Sequence, residues 1–181
     1  MKLNFVAVLT TLGISSTAAI AEPFHFTFGI EQAQGTIVYH DIPSDIRYNT
    51  TYTAFSLTAA QKFDLSGPVY IGYDASIGIP VSQNFPALYS LDTVVRGRVV
   101  LGFHGNGFDV YTAAGRSMAV GTFRTETRLR GTNSALGVNF RVADSANIQI
   151  EAYREDLTDG LTSYSSDWHN SGLRAGAVVK F

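Results

Sequence analysis

The sequence predicts an all-β protein, an eight-stranded antiparallel up-and-down transmembrane β-barrel. Three observations lead there. Stretches of about ten residues alternate between apolar and polar side chains, the period of a strand with two unlike faces. In most of them one face is nearly free of charge, while the other carries charges among small residues. The connections alternate between short and long. Seventeen glycines, nine tyrosines and twelve phenylalanines fit a protein rich in turns and aromatic packing.

The N-terminus comes first. Lys2 precedes an apolar run from Leu3 to Ile14, then Ser15-Ser16-Thr17 and Ala19-Ile20-Ala21. A positive start, an apolar run too short to span a bilayer as a helix, and an A-x-A site predict a secretory signal peptide over residues 1–21. The barrel domain is then 22–181. Loss of Lys2 leaves 12 basic against 15 acidic residues, a net charge of −3, which points to no nucleic acid or acidic polymer as partner. The chain has no cysteine, so it is neither a disulfide scaffold nor an acylated lipoprotein.

Eight segments follow. Phe24, Phe26, Phe28 and Ile30 alternate with His25, Thr27, Gly29 and Glu31. In 54–63, Phe55, Leu57, Ala59 and Phe63 oppose Ser56, Thr58, Ala60 and Lys62. In 69–79, Val69, Ile71, Tyr73, Ala75, Ile77 and Ile79 oppose Tyr70, Gly72, Asp74, Ser76 and Gly78. In 93–103, Val95, Val99, Leu101 and Phe103 oppose Arg96, Arg98 and Gly102. Residues 108–117 alternate too, but either face could meet lipid. In 134–142, Leu136, Val138, Phe140 and Val142 oppose Gly137, Asn139 and Arg141. In 147–155, Ile148, Ile150 and Ala152 oppose Gln149, Glu151, Tyr153 and Glu155. The last strand sets Leu173, Ala175, Ala177, Val179 and Phe181 against Gly172, Arg174, Gly176, Val178 and Lys180.

The pieces 64–68, 104–107 and 143–146 are tight turns, whereas 32–51, 80–92, 118–133 and 156–170 read as long loops. Membrane barrels show this asymmetry, and each strand needs about 9–11 residues to cross. Closure bonds every backbone group, as lipid requires of strands. The charged faces then point inward, into a space just wide enough for side chains.

The signal peptide, the eight alternating strands and the terminal "LRAGAVVKF" resemble the small outer-membrane β-barrels of Gram-negative bacteria, the OmpX, OmpA-barrel and Opa type. The resemblance implies residence in the cell outer membrane. It makes Phe181 an assembly signal read by the barrel-assembly machinery, and part of the periplasmic aromatic girdle. The segment "EAYRED" (151–156) departs from that family's frequent E-Y-R-Y pattern.

Candidate sites follow from position. Asp74 and Arg98 share a height on adjacent strands, as do Glu31, Glu151 and Arg174 once the barrel closes. They are expected to form ion pairs that plug the lumen, because an unpaired charge there is costly. Arg124, Arg128 and Arg130 in 121–133 suit the phosphates of lipopolysaccharide. That segment is also expected to extend strands five and six beyond the membrane. In "DWHNS" (167–171), His169 and Ser171 share the outward face, with Asp156 on the facing strand. The pair is similar to the His-x-Ser of PagL-type lipid A deacylases, in which serine attacks an ester and histidine is the base. That family carries the pair on the penultimate strand, and its flanking residues are absent here. His25, His40, His104 and His169 fall in separate elements, so no metal spacing appears and no cofactor is implied. The expected function is an outer-membrane barrel, non-enzymatic, with a plugged lumen and an envelope-supporting or adhesin-like role. A lipid A-modifying enzyme and a narrow pore are the alternatives. Expected partners are outer-membrane lipid, lipopolysaccharide, the assembly machinery and an extracellular ligand; a monomer is expected.

Overall fold

A computed structural model describes residues 20–40, 44–65, 67–123, 126–160 and 165–180. Residues 1–19 of the expected signal peptide, Arg124 and the terminal Phe181 lie outside them. Alternation becomes strand in all eight segments: β1 (His25–Tyr39), β2 (Ile46–Asp64), β3 (Val69–Asn84), β4 (Tyr89–His104), β5 (Phe108–Phe123), β6 (Glu126–Ala143), β7 (Ala146–Thr158) and β8 (Ser166–Lys180). Each pairs antiparallel with its sequence neighbour, and β8 closes on β1 from His25↔Lys180 to Tyr39↔Ser166. A two-residue strand, Ile20–Ala21, adds to β2 opposite Asp64 and Phe63.

Register fixes the size of the barrel. Successive partners from His25 are Ala60, Asp74, Arg98, Gly115, Asn133, Glu155 and Asn170, and the circuit returns to Gly35. A stagger of ten residues over eight strands tilts each strand roughly 40° from the barrel axis, from the usual strand spacing and rise. Such an interior has room for side chains and little else. Some of that room comes from glycine: Tyr70, Tyr111 and Tyr153 lie over Gly102, Gly137 and Gly172 on the next strand, where a Cβ would collide with the ring.

The tight turns fall where the sequence puts them, and Gly67 and Gly107 take φ of 84° and 85° there. The four long loops are a correction. Strands run 13 to 19 residues, and only 40–45, 85–88, 124–125 and 159–165 remain between them at the other end. The third hairpin was expected to extend; the other three extend as well. In these extensions alternation continues with its sense reversed, so a search for apolar residues on the outside passes over them.

Strand five is now settled. Asp109, Tyr111 and Ala113 face inward, while Phe108 and Val110 are exposed. The outer surface of the turn-end half is an apolar belt, with Phe28 57%, Leu136 60% and Leu173 63% exposed. So wide an apolar surface is stable only against lipid. Beyond the belt the outward residues become polar: Gln32 and Gln34 on β1, Arg116 on β5, Arg128, Arg130, Thr132 and Ser134 on β6, and Arg154 on β7.

Candidate functional site

The lumen holds one continuous chain of opposite charges. Arg98 on β4 binds Asp74 of β3 through Nε and Nη2 at 2.9 and 2.8 Å. The same guanidinium reaches Glu151 of β7 through Nη1 and Nη2, both at 2.9 Å. Glu151 meets Arg174 of β8 at 3.5 Å, and Arg174 meets Glu31 of β1 at 3.2 Å. Glu31 accepts from Arg96 of β4 at 3.0 Å, and Arg96 Nε donates to Glu155 of β7 at 2.8 Å. Thus four carboxylates alternate with three guanidiniums, all buried. Charges taken out of water this fully persist only when paired and hydrogen-bonded. Hydroxyls complete the pairing: Tyr111 donates to Glu151 at 2.8 Å, Ser117 to Glu155 at 2.6 Å, and Tyr52 to Glu31 at 3.3 Å.

The five residues singled out from the sequence, Glu31, Asp74, Arg98, Glu151 and Arg174, all lie in this chain. Alternation places Arg96 and Glu155 on the inward face without identifying them as members. Arg96 sits on β4, and its partners sit on β1 and β7, across the lumen. Height on neighbouring strands identifies Asp74 with Arg98 but cannot identify a contact across the barrel.

Toward the loop end the interior turns apolar. Ile37, Leu91, Phe123, Leu129, Leu157 and Trp168 are at most 2% exposed and form one cluster. Trp168 is its centre, with ring centroids 5.7 Å from Phe85, 5.9 Å from Tyr52 and 6.4 Å from Phe123. Its indole N–H donates to Thr50 Oγ1 at 3.1 Å, so burial leaves no polar atom stranded. An irregularity between Leu91 and Thr93 shifts the parity of β4, which turns Leu91 and Tyr89 inward and leaves Asp92 exposed.

Outside, His169 and Asp156 are direct register partners, and His169 Nδ1 faces Asp156 Oδ1 at 2.8 Å. Burial pushes the Asp156 carboxyl up, but the hydrogen bonds and charges of His169 and Arg154 outweigh it and hold the group below the usual range. Ser171 is exposed opposite Arg154 of β7 and Gln34 of β1. Among the described residues no hydrogen bond joins Ser171 to His169. The arrangement supplies a base with its orienter but no engaged nucleophile. Arg128 and Arg130 stand exposed on the outer face of β6, and the same outer face carries Arg116 and Arg154 on the flanking strands.

At the turn end, where no metal spacing was expected, a ligand-type cluster does form. Glu22, Asp64 and His104 offer atoms within 4.8 Å of one another. Lys62 and Asp109 pair beside it at 3.0 Å.

No family model and no curated protein matches the chain. Among solved structures, the Neisserial surface protein A (NspA) is similar at a TM-score of 0.53 and 13% identity, over 90% of this chain and 99% of that one. Ail, the attachment invasion locus protein of Yersinia pestis, is similar at 0.50 and 12% identity, over 87% of this chain and 99% of that one. At such identities the likeness is one of fold. The chain is an eight-stranded closed antiparallel barrel, and it shares its fold with these small outer-membrane barrels.

Proposed function

We propose that this protein resides in the bacterial outer membrane as a monomeric, closed barrel that supports the envelope and presents its loop-end hairpins to partners at the cell surface. One observation carries it: the interior is filled twice over, by a paired ionic chain and by an apolar cluster, beneath an exterior belt suited to lipid. A filled interior conducts nothing, so the pore alternative loses its path. NspA is a surface protein and Ail an attachment protein by name, and the same role fits hairpins that extend well past the belt. Arg128 and Arg130, with Arg116 and Arg154 on the flanking strands and Arg124 expected beyond them, supply guanidiniums for lipopolysaccharide phosphates. Export by a cleaved signal peptide and recognition of Phe181 by the assembly machinery belong to the same proposal.

Cell fractionation and electrophoresis with and without heating test it. The protein is expected in the outer-membrane fraction, migrating anomalously when unheated. Recovery from the soluble periplasm would refute it. In planar bilayers no steady conductance is expected, and stable single-channel steps would refute closure.

A lipid A-modifying enzyme is favoured by the His169–Asp156 contact alone. Lipid A from overexpressing cells is expected to keep its mass spectrum. Loss of an acyl chain, abolished by Ser171→Ala, would establish the enzyme instead.

A further inference from the structure

We propose that Glu22, Asp64 and His104 bind a divalent transition-metal cation of the zinc class, which fastens the N-terminal segment across the turn-end mouth of the barrel. The three groups come from separate elements: the segment before β1, the end of β2 and the end of β4. Glu22 and His104 are held in place. The Glu22 N–H donates to Lys62 O at 3.0 Å, and its carbonyl accepts from Gln61 Nε2 at 3.3 Å. The His104 N–H donates to Pro68 O at 2.7 Å, and its ring packs on Tyr70 with centroids 4.5 Å apart.

The imidazole is set as a ligand would be. His104 faces Asp109 Oδ1 from Nδ1 at 2.9 Å and Asp64 Oδ1 from Nε2 at 3.0 Å. A cation between Nε2 and Asp64 would take the place that a second ring proton takes when an imidazolium lies between two carboxylates. Asp109 then takes the role a carboxylate commonly plays behind a ligating histidine: it accepts from Nδ1–H and fixes the tautomer. Lys62, 3.0 Å from Asp109 Oδ2, engages the other oxygen of that carboxylate and keeps it outside the ligand set.

The spacing is workable. Two ligands on one zinc stand at most about 4.2 Å apart, given bonds of about 2.1 Å. A cluster spanning 4.8 Å therefore closes by a few tenths of an ångström, mainly through the flexible Glu22 side chain. Glu22 Oε2 lies 3.1 Å from His25 Nε2, which leaves the other oxygen for the ion. One imidazole and two carboxylates neutralise a divalent charge and leave a fourth position for water. Calcium and magnesium prefer oxygen alone, so the histidine selects against them.

The test uses protein extracted from membranes into detergent and stripped of metal. Co2+ titration followed by visible absorption is expected to show one tetrahedral site per chain, displaced by Zn2+ and not by Ca2+. Zn2+ is expected to raise the unfolding temperature. Glu22→Gln and Asp64→Asn, each verified as folded by heat-modifiable migration, are expected to weaken binding about tenfold or more and to abolish that rise. Absence of a stoichiometric band would overturn the proposal. So would equal binding in both variants, or displacement by Ca2+ as readily as by Zn2+.

Discussion

Two halves of one barrel solve the same packing problem in opposite ways. Near the turn end, Phe28 and Leu136 face out while Arg98, Glu151 and Arg174 fill the inside. Near the loop end, Arg128 and Gln34 face out while Leu129, Leu157 and Trp168 fill the inside. The wall is continuous and the strands are the same; only the solvent changes. In lipid the outside must be apolar, so the inward positions are free to carry charge, provided every charge finds a partner. In water the hydrophobic effect works on the inside again, and the barrel reverts to the pattern of a soluble protein. The polarity inversion thus marks where the lipid-facing belt ends on the molecule, between Ile30 and Gln32 on β1 and between Leu173 and Ser171 on β8.

The two interiors should fail differently. Arg96→Met removes the shared partner of Glu31 and Glu155, strands the buried Glu155 carboxylate and leaves Glu31 with Arg174 alone. It should cost about 3–5 kcal/mol of unfolding free energy, as removal of one member of a buried ion pair does. Equilibrium unfolding in urea from lipid vesicles measures it. Leu129→Ala leaves a cavity in the apolar cluster and should cost less, about 2–4 kcal/mol. If Leu129→Ala proved the more damaging, the ionic chain would not be the keystone of the interior.

How far the sequence reveals this division depends on which rule each residue obeys. Asp74 and Arg98 are legible because adjacent antiparallel strands place them opposite one another. Glu31, Glu151 and Arg174 follow once closure makes β1, β7 and β8 neighbours. Arg96 is hidden because its partners lie across the lumen, where side-chain length and strand stagger decide contact. Trp168 and Leu157 are hidden for another reason: they are apolar on the inward parity, the reverse of the pattern that defines the belt. Leu91 adds a bulge to that reversal. Glu22, Asp64 and His104 are separated by some forty residues at each step, and only register gathers them.

A smaller effect sharpens the comparison at the loop end. His40 faces Asp45 from Nδ1 at 2.9 Å and Asp167 from Nε2 at 3.0 Å, joining the first hairpin to the start of β8. The hydrogen bond with Asp167, then that with Asp45, holds the imidazolium and raises the His40 pKa above its ordinary value. A raised value means that the contribution is complete below the unfolded pKa and is lost as pH rises through the folded one. The hairpin should therefore loosen on going from mildly acid to alkaline pH, a change His40→Gln should remove. Amide hydrogen exchange at 44–50, corrected for the intrinsic pH dependence, reads it. Faster exchange at the acid end would reverse the assigned sign.

The sequence contains a single tryptophan, and it lies at the centre of the apolar cluster. Its fluorescence therefore tests the two-interior account without any label. In vesicles, Trp168 should emit at short wavelength, resist quenching by aqueous iodide and resist quenching by lipids brominated along their acyl chains. Only a site inside the barrel gives all three. Strong quenching by the brominated chains would turn Trp168 outward into lipid, and red-shifted emission open to iodide would show that the loop end is not closed; either result would contradict the account.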